Sequence, residues 1–346
     1  MTTGKPTTTE TGAARSSAEE GSLLPSRVRK TLDLHSTAET LGGSESTRTV
    51  LIAVFANLAV AVAKSIAAVI TGSASMVAEA SHSWADTGNQ GFLLIANRRG
   101  MRKPDEHRPL GYGREAYVWS LLAAVGLFVV GAVVSVWHGV SELMHPTGGG
   151  HEAYLVGYIV LGVAFLLEGS SLLQAYRQLH GEAEEYDREV LEYALATSDP
   201  TVRAVFAEDS AALIGLVIAF AGLGLHQLTG SAVWDAIGSI LVGVLLGVVA
   251  VILIDRNRRY LTGETGSPEL HDAAVKHLAE QPDVAKVRFL RLEYIGPKQI
   301  FLVASVDLVG DDAESDVAHR LRRLEREMEN NPYVADAVLT VSEPGE

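Results

Sequence analysis

Lysine and arginine are missing from three long stretches of this chain, between Lys64 and Arg98, between Arg114 and Arg177, and between Arg203 and Arg256. Apolar blocks lie within or beside these gaps at roughly 50–71, 74–97, 117–144, 152–176, 202–228 and 232–254. Each block is long enough to cross about 30 Å of hydrocarbon, which takes about 20 helical residues. The basic residues gather instead in Arg98 to Arg114, Arg177 to Arg203 and Arg256 to Arg259, which are every second connection. The positive-inside rule then places these loops and both termini in the cytoplasm. Six membrane spans with both ends inside satisfy that alternation.

Composition supports the same reading. The chain is 47% hydrophobic with a mean hydropathy of +0.18 although 20% of it is charged, so its apolar residues must be segregated into blocks. Acidic residues outnumber basic ones, 42 to 28, for a net charge of −14, which leaves no basic face for a nucleic acid. With 33 glycines and 11 prolines the chain suits close helix packing. The absence of cysteine removes disulfides, thiolate zinc sites, iron-sulfur clusters and cysteine nucleophiles.

Three regions follow. Residues 1–47 are rich in Thr, Ser, Glu and Gly and contain no apolar run that would serve as a secretory signal; they read as a disordered cytoplasmic tail. Residues 48–259 form the six-helix membrane domain, inserted through its own helices. Residues 260–346 read as a small cytoplasmic α+β domain. In it a helix starts at Ser267 and Pro268 and stops at Pro282 and Asp283. Alternating strands at Val284 to Tyr294 and Gln299 to Leu308 flank the turn Ile295-Gly296-Pro297-Lys298. A charged helix from Asp311 to Glu329 and a strand from Tyr333 to Ser342 complete an αββαβ, ferredoxin-like order.

An ionisable side chain in hydrocarbon costs roughly 3 kcal/mol even on lenient scales, so charges inside spans need a reason. The second span carries Glu79, His82 and Asp86, whose spacings of three and four put them on one helical face. An imidazole and a carboxylate one turn apart can ligate one divalent cation. The fifth span adds Glu208 and Asp209, about 100° apart around the helix, so one of them at most shares a narrow site with His82 and Asp86. A structural His82–Asp86 hydrogen-bonded pair is the plain alternative. Glu79, near the end of its span, reads equally as a solvated mouth residue or a ligand. Lys64 reaches for the interface or neutralises a carboxylate. Glu168, deep in the fourth span, is open to pairing with Lys64, relaying protons or joining the metal. Asn57 reads foremost as a residue that hydrogen-bonds between helices, and Asp235 as a cap of its own helix.

Three stretches carry a resemblance: Ala78-Glu79-Ala80-Ser81-His82-Ser83-Trp84-Ala85-Asp86-Thr87-Gly88-Asn89-Gln90, Arg108-Pro109-Leu110-Gly111-Tyr112-Gly113-Arg114, and Glu208-Asp209-Ser210-Ala211-Ala212. They resemble the cation diffusion facilitator family of divalent-metal transporters, most of all its zinc transporter 9 branch, over roughly 48–342. The resemblance implies the six spans, the cytoplasmic domain as a dimerisation surface, and His82, Asp86 and Asp209 as metal ligands. The family's second histidine would fall at Val205, which leaves the fourth position to water, Glu208, Glu168 or another group. Family members often bind regulatory zinc on the soluble domain. Here Val287-Arg288-Phe289-Leu290-Arg291-Leu292 and Thr340-Val341-Ser342-Glu343 lack the histidines, so no such cluster is expected.

The expected activity is export of a divalent cation, zinc foremost, by a homodimer in the bilayer exchanging it for protons, with no cofactor beyond the transported ion. The alternatives are a non-transporting metal sensor or scaffold, and an exporter of manganese, iron or cobalt. A membrane metallohydrolase is disfavoured because no His-Glu-x-x-His occurs, and no enzyme activity is expected.

Overall fold

The computed structural model describes residues 45–145, 154–185 and 189–342, so the expected tail lies almost wholly outside the described residues. Long helices follow in order: α1 Glu45–Thr71, α2 Ala74–Gly100, α3 Arg114–Met144, α4 Tyr154–Glu185, the short α5 Val190–Ala196, α6 Pro200–Thr229 and α7 Val233–Thr262. Local chemistry sets their ends. Gly72, at φ 65°, reverses the chain between α1 and α2, and the Ser73 side chain accepts the Met76 N–H at 3.1 Å. Asp199 accepts from the N–H groups of Thr201 and Val202, Pro200 opens α6, and Gly230 closes it in the left-handed conformation.

Four of these helices, α3, the Tyr154–Gly181 part of α4, α6 and α7, are long and apolar enough to cross a membrane. The expected count of six is not reached by that measure, for two reasons. The apolar part of α1 among the described residues, Asn57–Thr71, is shorter than a span. In α2, the polar row around His82, Asp86 and Asn89 lowers the hydropathy of a helix that is otherwise 27 residues long.

α2 packs against α1, α3, α6 and α7, while α4 packs against α1 and α6. Two alanine-rich cores result. One gathers Ala67, Met76, Leu161, Ala164, Leu216 and Leu223, and the other Ala78, Leu127, Ala132, Val242 and Leu246. Backbones come close at the α3–α7 contact. A Cβ on Gly139 would stand 2.8 Å from the Ala236 carbonyl, and one on Gly243 2.9 Å from that of Ala132. Small residues permit such approach where hydrocarbon supplies no hydrophobic drive. Within α3, Leu127–Val133 is π-helical and sits against Leu246 of α7.

A second compact unit begins at Glu264, four residues beyond the expected boundary after residue 259. It holds α8 Pro268–Ala279, β1 Val284–Gly296, β2 Gln299–Leu308, α9 Glu314–Glu329 and β3 Val334–Val341, the expected αββαβ order. The sheet order is β1-β2-β3, with β1 and β2 antiparallel and β2 and β3 parallel through the α9 crossover. Leu290, Leu292, Leu302, Ala304 and Leu339 point into a core with Leu278, Leu324 and Met328. This is a small mixed three-stranded sheet.

Candidate functional site

Because α2 is one helix through residues 79 to 89, the side chains of Glu79, His82, Asp86 and Asn89 line a single stripe. The His82 Nδ1 stands 3.4 Å from Asp86 Oδ1. The geometry makes no hydrogen bond, and neither nitrogen of the buried imidazole has a hydrogen-bond partner, nor does Asp86 Oδ1. Asp86 stands on α2, which packs against α6, the helix that carries Glu208 and Asp209.

The two acidic residues of α6 are held differently, as their angular separation requires. Glu208 is buried and accepts from the Asn89 side-chain amide on both carboxylate oxygens. Asp209 Oδ2 accepts the Ser171 hydroxyl of α4 at 2.7 Å. Val205, one turn before Asp209, offers no ligand atom.

On the other side of His82 from Asp86, at Glu79, the stripe meets an ion-pair cluster. Lys64 Nζ of α1 donates to Glu79 Oε2 at 3.0 Å and to Glu168 Oε1 at 2.8 Å, joining α1, α2 and α4. Of the sequence alternatives, Lys64 neutralises carboxylates rather than reaching an interface, and Glu168 pairs with it. The reading of Glu79 as a solvated mouth residue is corrected: it is fully buried, because α1 brings an ammonium group to it. Asn57 lies half-buried on α1 seven residues before Lys64, and none of these hydrogen bonds involves it. Asp235 is corrected as well. It caps α2 instead of its own helix, accepting from Ala74 N at 2.5 Å and from the hydroxyls of Ser73 and Ser75.

The donor set suits a hard or borderline cation: one imidazole, several carboxylates, and acceptor atoms without donors at His82, Asp86 and Glu168. Among the described residues no three histidine or carboxylate side chains stand close enough together to hold one ion as they are; His82 and Asp86 stand together, while Asp209 is held at Ser171.

Two groups of interacting residues escaped the sequence reading. Asn89 continues the spacing of His82 and Asp86 by three more residues, a signal that was available; Ser171 carried none. At the end of the bundle where α2 stops and α6 starts, buried Arg203 donates to Thr197 O and to Asn257 Oδ1, both at 2.8 Å, and Asn257 donates to Ser120. Tyr117 and Tyr260 stack beside it and donate to Ser198 O and Ala196 O. This network ties the start of α6, and so Glu208 and Asp209, to α3 and α7.

A polar stripe inside a bundle with four helices long and apolar enough to cross a membrane marks an integral membrane protein. The family profile of the cation efflux transmembrane domain matches residues 50–262, and the chain belongs to that family, the cation diffusion facilitators, whose members are transporters and not enzymes. Over 247 residues it is 35% identical to the mouse (Mus musculus) protein named mitochondrial proton-coupled zinc antiporter SLC30A9, covering 71% of this chain and 43% of that one. It is 36% identical over 252 residues to metal tolerance protein C4 of Arabidopsis thaliana, covering 73% and 54%. Magnetosome protein MamB of Paramagnetospirillum magneticum is 24% identical over 290 residues, covering 83% and 90%. The chain thus spans about half the length of the first two relatives.

Proposed function

We propose that this protein exports a divalent cation, zinc foremost, from the cytoplasm in exchange for protons, with α1, α2, α3, α4, α6 and α7 as six spans and both termini cytoplasmic. The observation that carries the reading is the His82–Asp86 pair, whose buried imidazole nitrogens and Asp86 Oδ1 lack hydrogen-bond partners inside the bundle. A relative named as a proton-coupled zinc antiporter, 35% identical, supports the choice of ion and of coupling.

His82, Asp86 and Asp209 are the ligands in this reading. They close on the ion by side-chain rotation or by a small approach of α6 to α2, and Glu208, Glu168 or water completes the shell. Three protein ligands with an open place suit zinc. An oxygen-rich set also admits manganese, iron or cobalt. A metal ion requires a neutral imidazole and ionised carboxylates, so its arrival displaces protons and protonation on the far side releases it. Rocking of the helices exposes the site to each side in turn. Phe289, Val303 and Val338, on the open face of the soluble sheet, support a homodimer.

The test is flux. Proteoliposomes bearing the protein accumulate zinc when a proton gradient is imposed, and Asp86→Ala lowers the rate to that of empty vesicles while the melting curve is retained. Wild-type flux in Asp86→Ala would remove the proposed site. Zinc binding by the wild type with no flux under any gradient would favour a sensor or scaffold, a reading encouraged by the absence of a preassembled three-ligand group among the described residues.

A further inference from the structure

One group in the bundle has no part in the exchange just described, and it is the most deeply buried cation near the site. Lys64 is 0% exposed. An ammonium group inside an apolar bundle persists only when paired. Two carboxylates pair with it, from different helices and at 3.0 and 2.8 Å, so that Lys64 Nζ occupies the place between Glu79 and Glu168 as a bound cation would. The four carboxylate oxygens outnumber the cation. Glu79 Oε1 and Glu168 Oε2 are both buried and without hydrogen-bond partners. The cluster therefore keeps unused acceptor capacity next to the His82–Asp86 pair, and the Lys64 charge acts on both of those residues.

We propose that Lys64 is a specificity-determining residue that limits the carrier to one divalent ion per chain: its ammonium group is a built-in cation holding a two-carboxylate place that a second divalent ion would otherwise take. Divalent metal–oxygen distances are about 2.0–2.6 Å, so the two oxygens need to move inward by less than about 1 Å each to exchange an ammonium for a metal. The arrangement confines the transported ion to the Asp86 side and leaves Glu79 Oε2 and Glu168 Oε1 on the ammonium group whether or not that ion is present. The inference rests on the proposed function, since it presupposes that His82, Asp86 and Asp209 take the first ion.

Equilibrium dialysis of zinc against the purified full-length protein in detergent counts ions per chain directly. Wild type and Lys64→Arg are expected to bind the same number. Lys64→Met binds one more, and Lys64→Met/Glu79→Gln loses that extra ion. An unchanged count in Lys64→Met, or an extra ion that survives Glu79→Gln, overturns the proposal. Should Lys64→Met be too unstable for dialysis, zinc raises its melting temperature by more than it raises that of the wild type; an equal or smaller rise is the overturning result. A wild type that binds no zinc sinks the transport reading itself, an outcome separate from an unchanged count.

Discussion

Gly215 on α6 measures how tightly the ion-pair cluster is enclosed. A Cβ there would stand 2.6 Å from Glu79 Oε1, so the helix passes the carboxylate with only a hydrogen atom to spare. Gly215→Ala should cost about 1–3 kcal/mol of stability, the usual penalty of overpacking a filled core. In a Glu79→Ala background the carboxylate is gone, and the same glycine substitution should cost much less. Thermal melts of the four proteins in one detergent give this double-mutant cycle, and equal penalties in both backgrounds would contradict the contact. At this scale the sequence exposed the residues and left their pairing open among alternatives. His82, Asp86, Glu208 and Asp209 stood out because charge is rare in apolar helices. Lys64, Glu79 and Glu168 stood out equally, but their pairing spans 15 and 104 residues of sequence. No helical period connects positions so far apart.

At the scale of elements, the turn between α2 and α3 is ordered by its own side chains. Asp105 accepts the Tyr112 hydroxyl at 2.6 Å and the N–H groups of His107 and Arg108, while the guanidinium groups of Arg102 and Arg108 lie over the Tyr112 ring at 4.4 and 4.7 Å. The Tyr112 hydroxyl bond is the main cause that holds the Asp105 carboxyl below the ordinary carboxylate range. The same bond raises the Tyr112 hydroxyl. A lowered carboxyl stabilises the turn above its unfolded pKa and loses that contribution as pH falls through the lower folded value. A raised phenol stabilises it below about pH 10, its unfolded value, and loses the contribution on the alkaline side. The protection of amides across residues 102–113, measured relative to their intrinsic exchange rates, should therefore fall in acid, and Tyr112→Phe should move that acid transition to higher pH. An unmoved transition would show that another group controls the turn. The sequence marked this stretch by its glycines and prolines. The bracing of a tyrosine between two arginines required the folded turn.

On the scale of the whole molecule, the chain separates at Gly263 into a helical unit and an α+β unit, each with its own core. Helices α8 and α9 cover one face of the three-stranded sheet. On the other, Phe289 and Val338 are exposed and Val303 is half-buried between β1 and β3. If this face joins two copies, Phe289→Glu places a charge in the joint, and sedimentation in detergent should show monomers where the wild type shows dimers. A wild-type sedimentation profile in that variant would move the joint elsewhere.

Most of the element order was legible in the amino acids alone, the short α5 Val190–Ala196 excepted, because hydrophobic period, capping residues and basic gaps are local or additive properties that need no partner. The family was legible for the same reason, through contiguous motifs on α2 and α6. The packed bundle was needed to show that Glu79 is a buried ion-pair member, that Asp235 caps a helix other than its own, and that Asn89 and Ser171 hold the two α6 carboxylates. Each of those depends on which helix faces which. Helix pairing in a bundle is set by the shape of small-residue contacts such as Gly139 against Ala236 and Gly243 against Ala132, and that shape exists only once the helices have met.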